Sequence, residues 1–183
     1  MTSLVYSSAP TPIGTIYLAR SEFGICRVAY DLSDDAFEID VRSRFHLEVR
    51  HCPDDPILVD AELQLERYFL RALHAFDVPL DFREGTAFMR RAWSAQSMIP
   101  YGQVRSYKWV AEKAGKPRAA RAVGQANRRC AISIFVPCHR VISSDGSIGG
   151  YGSRADVKEF LLRLEGAQWG KKPVEDVAAS WDY

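Results

Sequence analysis

Residues 4–8, 14–20 and 24–30 are short runs rich in β-branched and aromatic side chains. Turn signals separate them at Pro10-Thr11-Pro12 and Glu22-Phe23-Gly24, so they read as three strands. The pattern then predicts a helix over 34–45 and a further strand over 47–51. A stronger helix follows over 56–73, where Leu58, Ala61, Leu65, Tyr68, Phe69 and Ala72 fall near one face. Residues 78–82 read as extended, and Gly85 marks a boundary.

Beyond Gly85 the period changes to helical. Thr86 is placed to cap a helix to residue 98, with Phe88, Ala92, Ala95 and Ile99 at helical spacing. After a turn at Ile99-Pro100-Tyr101-Gly102, Ser106 caps a helix to 114, with Gly115 as its C-cap glycine. Pro117 opens another helix to 129. Two helices joined by a short glycine-containing turn outline a helix-turn-helix. A strand over 132–136, a polar loop to Arg154 and a helix over 156–165 closed by Gly166 complete the pattern. The expected division is a domain over 1–84, a second over 85–170, and a tail over 171–183.

The chain has 183 residues, 47% apolar and 26% charged, as in an ordinary globular protein. Four cysteines do not make a disulfide scaffold, no run approaches a membrane span, and no basic region leads into an apolar run as in a signal peptide. A cytoplasmic protein with reduced thiols and no membrane partner is the expectation. The net charge of +1 hides an asymmetry: residues 1–84 carry 8 Lys/Arg against 15 Asp/Glu, and 85–154 carry 12 against 2. Such a division points to a polyanion partner for the basic part, unless the acidic part neutralises it. Residues 118–129 combine small side chains with Arg118, Arg121, Arg128 and Arg129, and no acid occurs between Lys113 and Arg129. Small side chains let a backbone approach a surface closely, while the arginines attract phosphates.

Pro137-Cys138-His139-Arg140-Val141 follows the apolar strand directly. A thiol is a useful nucleophile only as thiolate, the form that a neighbouring imidazole and guanidinium favour. Adjacent Cys and His side chains point to opposite faces of a strand, so a dyad needs a turn or a bridging water. The imidazole needs a third group to orient it, most simply a carboxylate, and the acids near the loop in sequence are few: Asp145, Asp156, Glu159 and Glu165. A structural or redox cysteine is the competing reading. Zinc is disfavoured, because Cys138 and His139 have no second ligand pair, and His46, His51 and Cys52 form no familiar pattern.

The loop 137–141, preceded by Ala120-Arg121-Ala122-Val123-Gly124 and Ile99-Pro100-Tyr101-Gly102 and followed by Val157-Lys158-Glu159-Phe160-Leu161-Leu162 and Glu165-Gly166, resembles the O6-alkylguanine-DNA alkyltransferases. The likeness is close over 86–166 and reaches the first half in outline, through Thr11-Pro12-Ile13-Gly14. It implies a ribonuclease-H-like α/β N-terminal domain and a mostly α C-terminal domain with a winged-helix-like helix-turn-helix. It further implies a monomer that binds double-stranded DNA containing O6-alkylguanine through the minor groove. Cys138 would accept the alkyl group, with His139 taking the thiol proton through water and Glu165 supporting the imidazolium. Tyr107 would press the phosphate as the base rotates out and then bond guanine N3. Arg140 would brace the loop, while backbone at Cys138, Val141 and Gly152 read the guanine edge and Tyr151 shapes the pocket. Ala119 and Ala120 would allow close approach, Arg121 would be the wedge, and Arg118, Arg128 and Arg129 would neutralise phosphates. No cofactor is implied, because the nucleophile is consumed.

Two departures from the family pattern stand out. Gly152-Ser153 occupies the place of other small-residue pairs, and Cys130-Ala131 stands where the family usually has Asn-Pro. That Asn braces the turn, and a thiol, a weak donor and acceptor, replaces little of it. A strand leading straight from Cys130 to Cys138 would hold the two sulfurs far apart. Two other functions compete: a non-enzymatic binder that flags alkylated guanine, against which Cys138 itself argues, and a transcription regulator, for which an Ala-rich helix offers few base-reading side chains.

Overall fold

The structure, a computed structural model, describes residues 3–151 and 154–170. Gly152 and the expected tail 171–183 therefore lie outside the described residues. The chain divides into two units, Met1–Glu84 with Ala131–Phe135, and Gly85–Cys130 with Val136–Tyr183. Among the described residues no helix is long and apolar enough to cross a membrane.

In the first unit β1 (Leu4–Thr11), β2 (Gly14–Ser21) and β3 (Gly24–Tyr30) form an antiparallel sheet. β4 (Val49–His51) pairs parallel to β1, giving the order β3-β2-β1-β4. A parallel neighbour needs a crossover, and α1 (Asp34–Phe45) lies in that connection. The Ser33 side chain caps α1 by accepting from Ala36 N–H. Tyr17 and Ala19 of β2 pack with Phe37 and Val41 of α1. Ile16 and Leu18, alternating with them, point to the opposite face, where α2 (Pro56–Phe69) packs on β1 and β2.

Helix α2 ends at Phe69 rather than 73. Arg71 takes a left-handed conformation (φ 60°), and the N–H groups of Arg71 and Ala72 fold back onto the carbonyls of Tyr68 and Arg67. This is a Schellman stop, made here without the glycine that announces one in sequence.

The second unit contains α3 (Ala87–Ser97), β5 (Arg105–Ser106), α4 (Tyr107–Lys113), α5 (Ala120–Arg128), β6 (Val141–Ile142) and α6 (Ala155–Leu164). Thr86 and Ser106 cap α3 and α4 through Met89 and Trp109 N–H. Gly115 (φ 76°) ends α4 as expected. Helix α5 begins at Ala120 rather than Pro117, because a turn closed by Ala119 N–H on Lys116 O intervenes (2.9 Å). Helices α4 and α5 form the helix-turn-helix, and buried Trp93 of α3 donates its indole N–H to Ala126 O of α5 (3.0 Å).

The expected strand over 132–136 is absent. Ile134 has φ 75°, which a β-branched residue rarely adopts and which no strand accommodates. The polar groups of this stretch are satisfied elsewhere in the first unit: Ala131 O accepts from Val28 N–H, Ser133 Oγ bonds the Tyr30 hydroxyl, and Phe135 packs on Phe76. A short apolar run looks the same in sequence whether it is a strand or a buried loop.

Asp55 caps α2, accepting from Ile57 and Leu58 N–H, and also binds the Arg20 guanidinium. Replacing Asp55 with Ala removes cap and ion pair together and should lower stability by about 2 kcal/mol. Asn keeps the cap oxygen and should recover roughly half of that. Denaturant unfolding of the two variants checks this: equal losses would show that the cap contributes nothing.

Candidate active site

Pro137 (φ −79°, ψ 56°) ends the approach to the loop, and Cys138–Arg140 form a single 3-10 turn. Its bonds run from Cys138 N–H to Val136 O (2.8 Å) and from Arg140 N–H to Pro137 O (3.0 Å). A turn of three residues fans successive side chains around its axis. The Cys138 and His139 side chains therefore escape the opposed directions a strand would give them.

His139 is wholly buried, and its Nε2 lies 2.8 Å from Glu165 Oε1. Arg140 donates to the same carboxylate twice, Nε to Oε2 and Nη2 to Oε1, both at 2.9 Å, and its third nitrogen, Nη1, donates to Ile99 O (2.6 Å). Gly102 N–H adds a bond to Oε2 (3.2 Å). Helix α6 stops here because Gly166 (φ 69°) and Ala167 close it by bonding the carbonyls of Arg163 and Leu162. That stop makes Glu165 the C-cap residue. Burial alone would raise the Glu165 pKa, but the bonds from His139 and Arg140 hold it well below the usual carboxylate range. An ionised Glu165 requires the proton on His139 Nε2. His139 Nδ1 then carries the lone pair, and it has no hydrogen-bond partner among the described residues. Burial pushes the His139 pKa down, outweighing the carboxylate's pull, so the ring is neutral.

Cys138 is also buried, yet its thiol is held below the ordinary value. The largest cause is a hydrogen bond from the Cys130 thiol. Burial opposes it, and the Tyr151 hydroxyl and the Lys158 ammonium assist it. The Tyr151 hydroxyl lies 3.8 Å from Cys138 Sγ. The expectation that a strand holds Cys130 and Cys138 far apart loses its premise, because no strand runs between them. Lys158 is wholly buried, donates to Val141 O (2.6 Å), stands over the Tyr107 ring, and has its pKa pulled down to about 8 by desolvation. A β-carbon at Gly149 would lie 3.0 Å from the Tyr107 hydroxyl, so that backbone runs close beneath the ring.

The turn therefore brings together Cys138, His139, Arg140, Val141, Tyr151, Glu165, Tyr107 and Cys130. Ala119 and Ala120 open α5, and Arg118, Arg121, Arg128 and Arg129 are all exposed on or beside that helix. Sequence reasoning missed Lys158, Asn127 and Gln96. The Asn127 carboxamide donates to Cys138 O (3.5 Å) and accepts from buried Gln96 (2.6 Å). A signal for Lys158 existed: Lys158, Leu161, Leu162 and Glu165 share the buried i, i+3, i+4, i+7 stripe of α6, where two charges among leucines mark a paired interior site. No group of three or more His, Cys, Asp or Glu that could hold a metal ion occurs among the described residues.

Comparison with known proteins gives a consistent result. Residues 87–167 match the 6-O-methylguanine DNA methyltransferase DNA binding domain, and residues 4–82 match the corresponding ribonuclease-like domain. The methylated-DNA–protein-cysteine methyltransferase of Methanosarcina barkeri is 42% identical over 162 residues, 88% of this chain and 97% of its own. The constitutive enzyme of that name from Bacillus subtilis is 39% identical over 169 residues, covering 91% and 98%. The crystal structure of Mycobacterium tuberculosis OGT in complex with DNA aligns with a TM-score of 0.74 and 37% identity, covering 92% of this chain and 95% of that one.

Because the folded-state pKa of Glu165 is depressed, its stabilising contribution is fully present above about pH 5 and is lost as pH falls toward the folded value. Glu165→Gln should cost about 3 kcal/mol at neutral pH, leaving Arg140 buried without its anion. It should also flatten the acid limb of the stability–pH curve. Unfolding measured between pH 3 and 8 checks both, and an unchanged acid limb would remove Glu165 from the centre of the site.

Proposed function

Because the chain belongs to the 6-O-methylguanine DNA methyltransferase family, we propose that it repairs DNA by direct reversal, moving the alkyl group of O6-alkylguanine irreversibly onto Cys138. The observation that carries this reading is the buried turn in which Cys138, held toward its thiolate, adjoins a neutral imidazole locked by an ionised carboxylate. DNA is the partner. The finer statements, a lesion-bearing duplex entered from the minor groove, a monomer and a cytoplasmic location, belong to this proposal. A single reduced thiol per lesion needs no second copy and fits a reducing compartment.

The chemistry follows from the hydrogen-bond directions. His139 keeps the Nε2 proton on Glu165 and takes the Cys138 proton at Nδ1 through a water. The Lys158 ammonium, when protonated, adds attraction for the resulting anion. The sulfur attacks the alkyl carbon, a C–S bond forms, and the C–O bond breaks with its electron pair passing to guanine. The Tyr107 hydroxyl donates to guanine N3 as charge develops on the base. The product thioether cannot be reversed, so each molecule acts once.

Reaching a base inside a duplex requires rotating it out, at a cost of a few kcal/mol that is smaller for a poorly paired lesion. Ala119 and Ala120 at the start of α5 permit close backbone approach. Arg121 in its first turn would fill the vacated stack, in keeping with side-chain wedges in minor-groove binders. Arg118, Arg128 and Arg129 supply phosphate neutralisation, and with it salt dependence without base readout.

Cys138→Ala should abolish transfer and leave duplex binding largely intact. Intact-protein mass spectrometry after incubation with an O6-methylguanine duplex reads the outcome: the wild type gains one methyl group on Cys138, and the variant gains none. Transfer persisting in the variant would refute Cys138 as acceptor.

Arg121→Ala should slow reaction in duplex DNA much more than reaction with free O6-methylguanine base, because only the duplex has a stack to refill. Equal slowing on both substrates would move Arg121 from the wedge into the pocket or into folding.

A further inference from the structure

In the first unit, helix α2 shows more apolar surface than its packing on the sheet uses. Among the described residues seven large hydrophobic side chains are exposed, and three of them belong to this helix and its C-cap: Val59 (47%), Leu63 (51%) and Leu70 (70%). With Glu66 between them they recur at i, i+4, i+7 and i+11, a single stripe of a helix. The stripe runs beside the buried one formed by Leu58, Ala61, Leu65 and Tyr68. Pro10 and Pro12 of the β1–β2 hairpin and Phe69 join Val59, Leu63 and Leu70 in lining a groove of about 490 Å³. That volume lies within the usual range of binding clefts.

Two carboxylates, Glu62 and Glu66, complete the lining. They stand four residues apart, where like charges on a helix repel. Elsewhere the chain pairs such acids: Glu38, Asp40 and Glu159 each meet an arginine four residues on. No Lys or Arg pairs with Glu62 or Glu66 among the described residues. Glu62 is half-buried and fixed in place by the hydroxyl of buried Ser7, which donates to it. Burial pushes its pKa up, against the pull of the Ser7 hydroxyl and the His51 imidazole.

We propose that this groove docks a helix of a partner protein that presents apolar side chains at i, i+4 and i+7 with lysine or arginine beside them. From Val59 to Leu70 the stripe rises about 16 Å, three turns of a helix. Anchors repeated at that spacing are the usual way an amphipathic helix seats in an apolar groove. The unpaired carboxylates select the charge. A cation beside the anchors relieves their mutual repulsion and forms a charge-assisted bond, and Glu62, already held by Ser7, needs little reordering to make it.

The same charge argues against other occupants. A second copy docked through this face would set the Glu62–Glu66 pair against its twin, as two-fold symmetry requires. A second copy docked through α5 would use arginines assigned above to phosphate. A nucleic acid or an anionic membrane surface would meet like charge. None of the groove residues belongs to the alkyl-transfer machinery, so this inference does not rest on that reading.

The probe is a fluorescein-labelled helical peptide with leucines at the spacing of the α2 stripe, lysines beside them and alanine elsewhere. A matched peptide carries glutamate in place of each lysine. Fluorescence anisotropy is measured on wild type, Leu63→Ser and the double variant Glu62→Gln/Glu66→Gln, at low and high salt. The lysine peptide should bind wild type at least about tenfold more tightly than the glutamate peptide. Leu63→Ser should weaken it by about tenfold or more, the effect of losing one buried leucine contact. The double variant should weaken it and remove most of the salt dependence. Both variants should keep the wild-type melting temperature and methyl-transfer rate. No binding of the lysine peptide, equal binding of the two peptides, or binding that Leu63→Ser leaves unchanged would overturn the inference. Sedimentation supplies one further outcome: a wild-type dimer that Leu63→Ser dissolves would give the face to a second copy and overturn it as well.

Discussion

The second unit turns on one ionised carboxylate held out of water. Burying an isolated carboxylate is so unfavourable that the group would take a proton instead. Glu165 avoids this through four bonds, from His139, two Arg140 nitrogens and Gly102 N–H. Its position at the C-cap of α6 adds to the difficulty, because the negative end of a helix disfavours an anion. The carboxylate therefore needs Arg140, and Arg140 needs the turn after Pro137 to reach it. The reactive loop, the Ile99–Gly102 turn and the end of α6 are thus fixed by one electrostatic requirement. Arg140 also donates to Ile99 O and stands over the Tyr101 ring, so the guanidinium closes the same triangle from its other side.

This dependence explains what could be read from the chain and what could not. The Thr86 and Ser106 caps, the Gly115 and Gly166 stops and the three N-terminal strands all rest on local chemistry, and the structure has them at those residues, with the first strand running on through Pro10 to Thr11. The end of α2 at Phe69 and the start of α5 at Ala120 were not legible, because Arg71 and the 116–119 turn carry no residue that announces them. The larger miss was the stretch from Ala131 to Phe135. Its apolar, β-branched character states only that it is buried, and the groups that bury it, Tyr30 and Phe76, lie about a hundred and about sixty residues earlier. Reading that stretch as a strand was also the premise for separating Cys130 from Cys138. The partners of His139 show the same limit. A carboxylate was required by the chemistry, but choosing Glu165 from the sequence needed the family likeness, not spacing.

The site's electrostatics follow a single pattern: each charge favoured in the turn is matched to a group that burial would otherwise neutralise. Burial raises the Cys138 thiol and lowers Lys158, so alone neither would carry charge in the interior. Each restores the other in part. With Lys158 pulled down to about 8, the ammonium sits close enough to neutral pH that small changes around it alter how much charge it lends. Tyr151 and Cys130 favour the anion as hydrogen-bonding groups.

That division of work suits a thiol that is used once. A nucleophile recovered after each cycle must leave its product readily, which favours a stabilised thiolate and a good leaving group. A consumed nucleophile has no such constraint, and the bond it forms can be as strong as a thioether. What it must do instead is remain reactive through long exposure to water and oxidants before a lesion arrives. Burying Cys138 behind Tyr151 and Lys158 limits that exposure, while the surrounding donors hold the thiol below its ordinary value despite the burial. The basic face of α5 lies outside this arrangement: its arginines are exposed and free to meet phosphate, whereas the charges on the reactive turn are already matched in the interior. In the reading proposed above, attraction for DNA and readiness of the thiol are carried by different residues, so a substitution in one set alters binding without altering the chemistry.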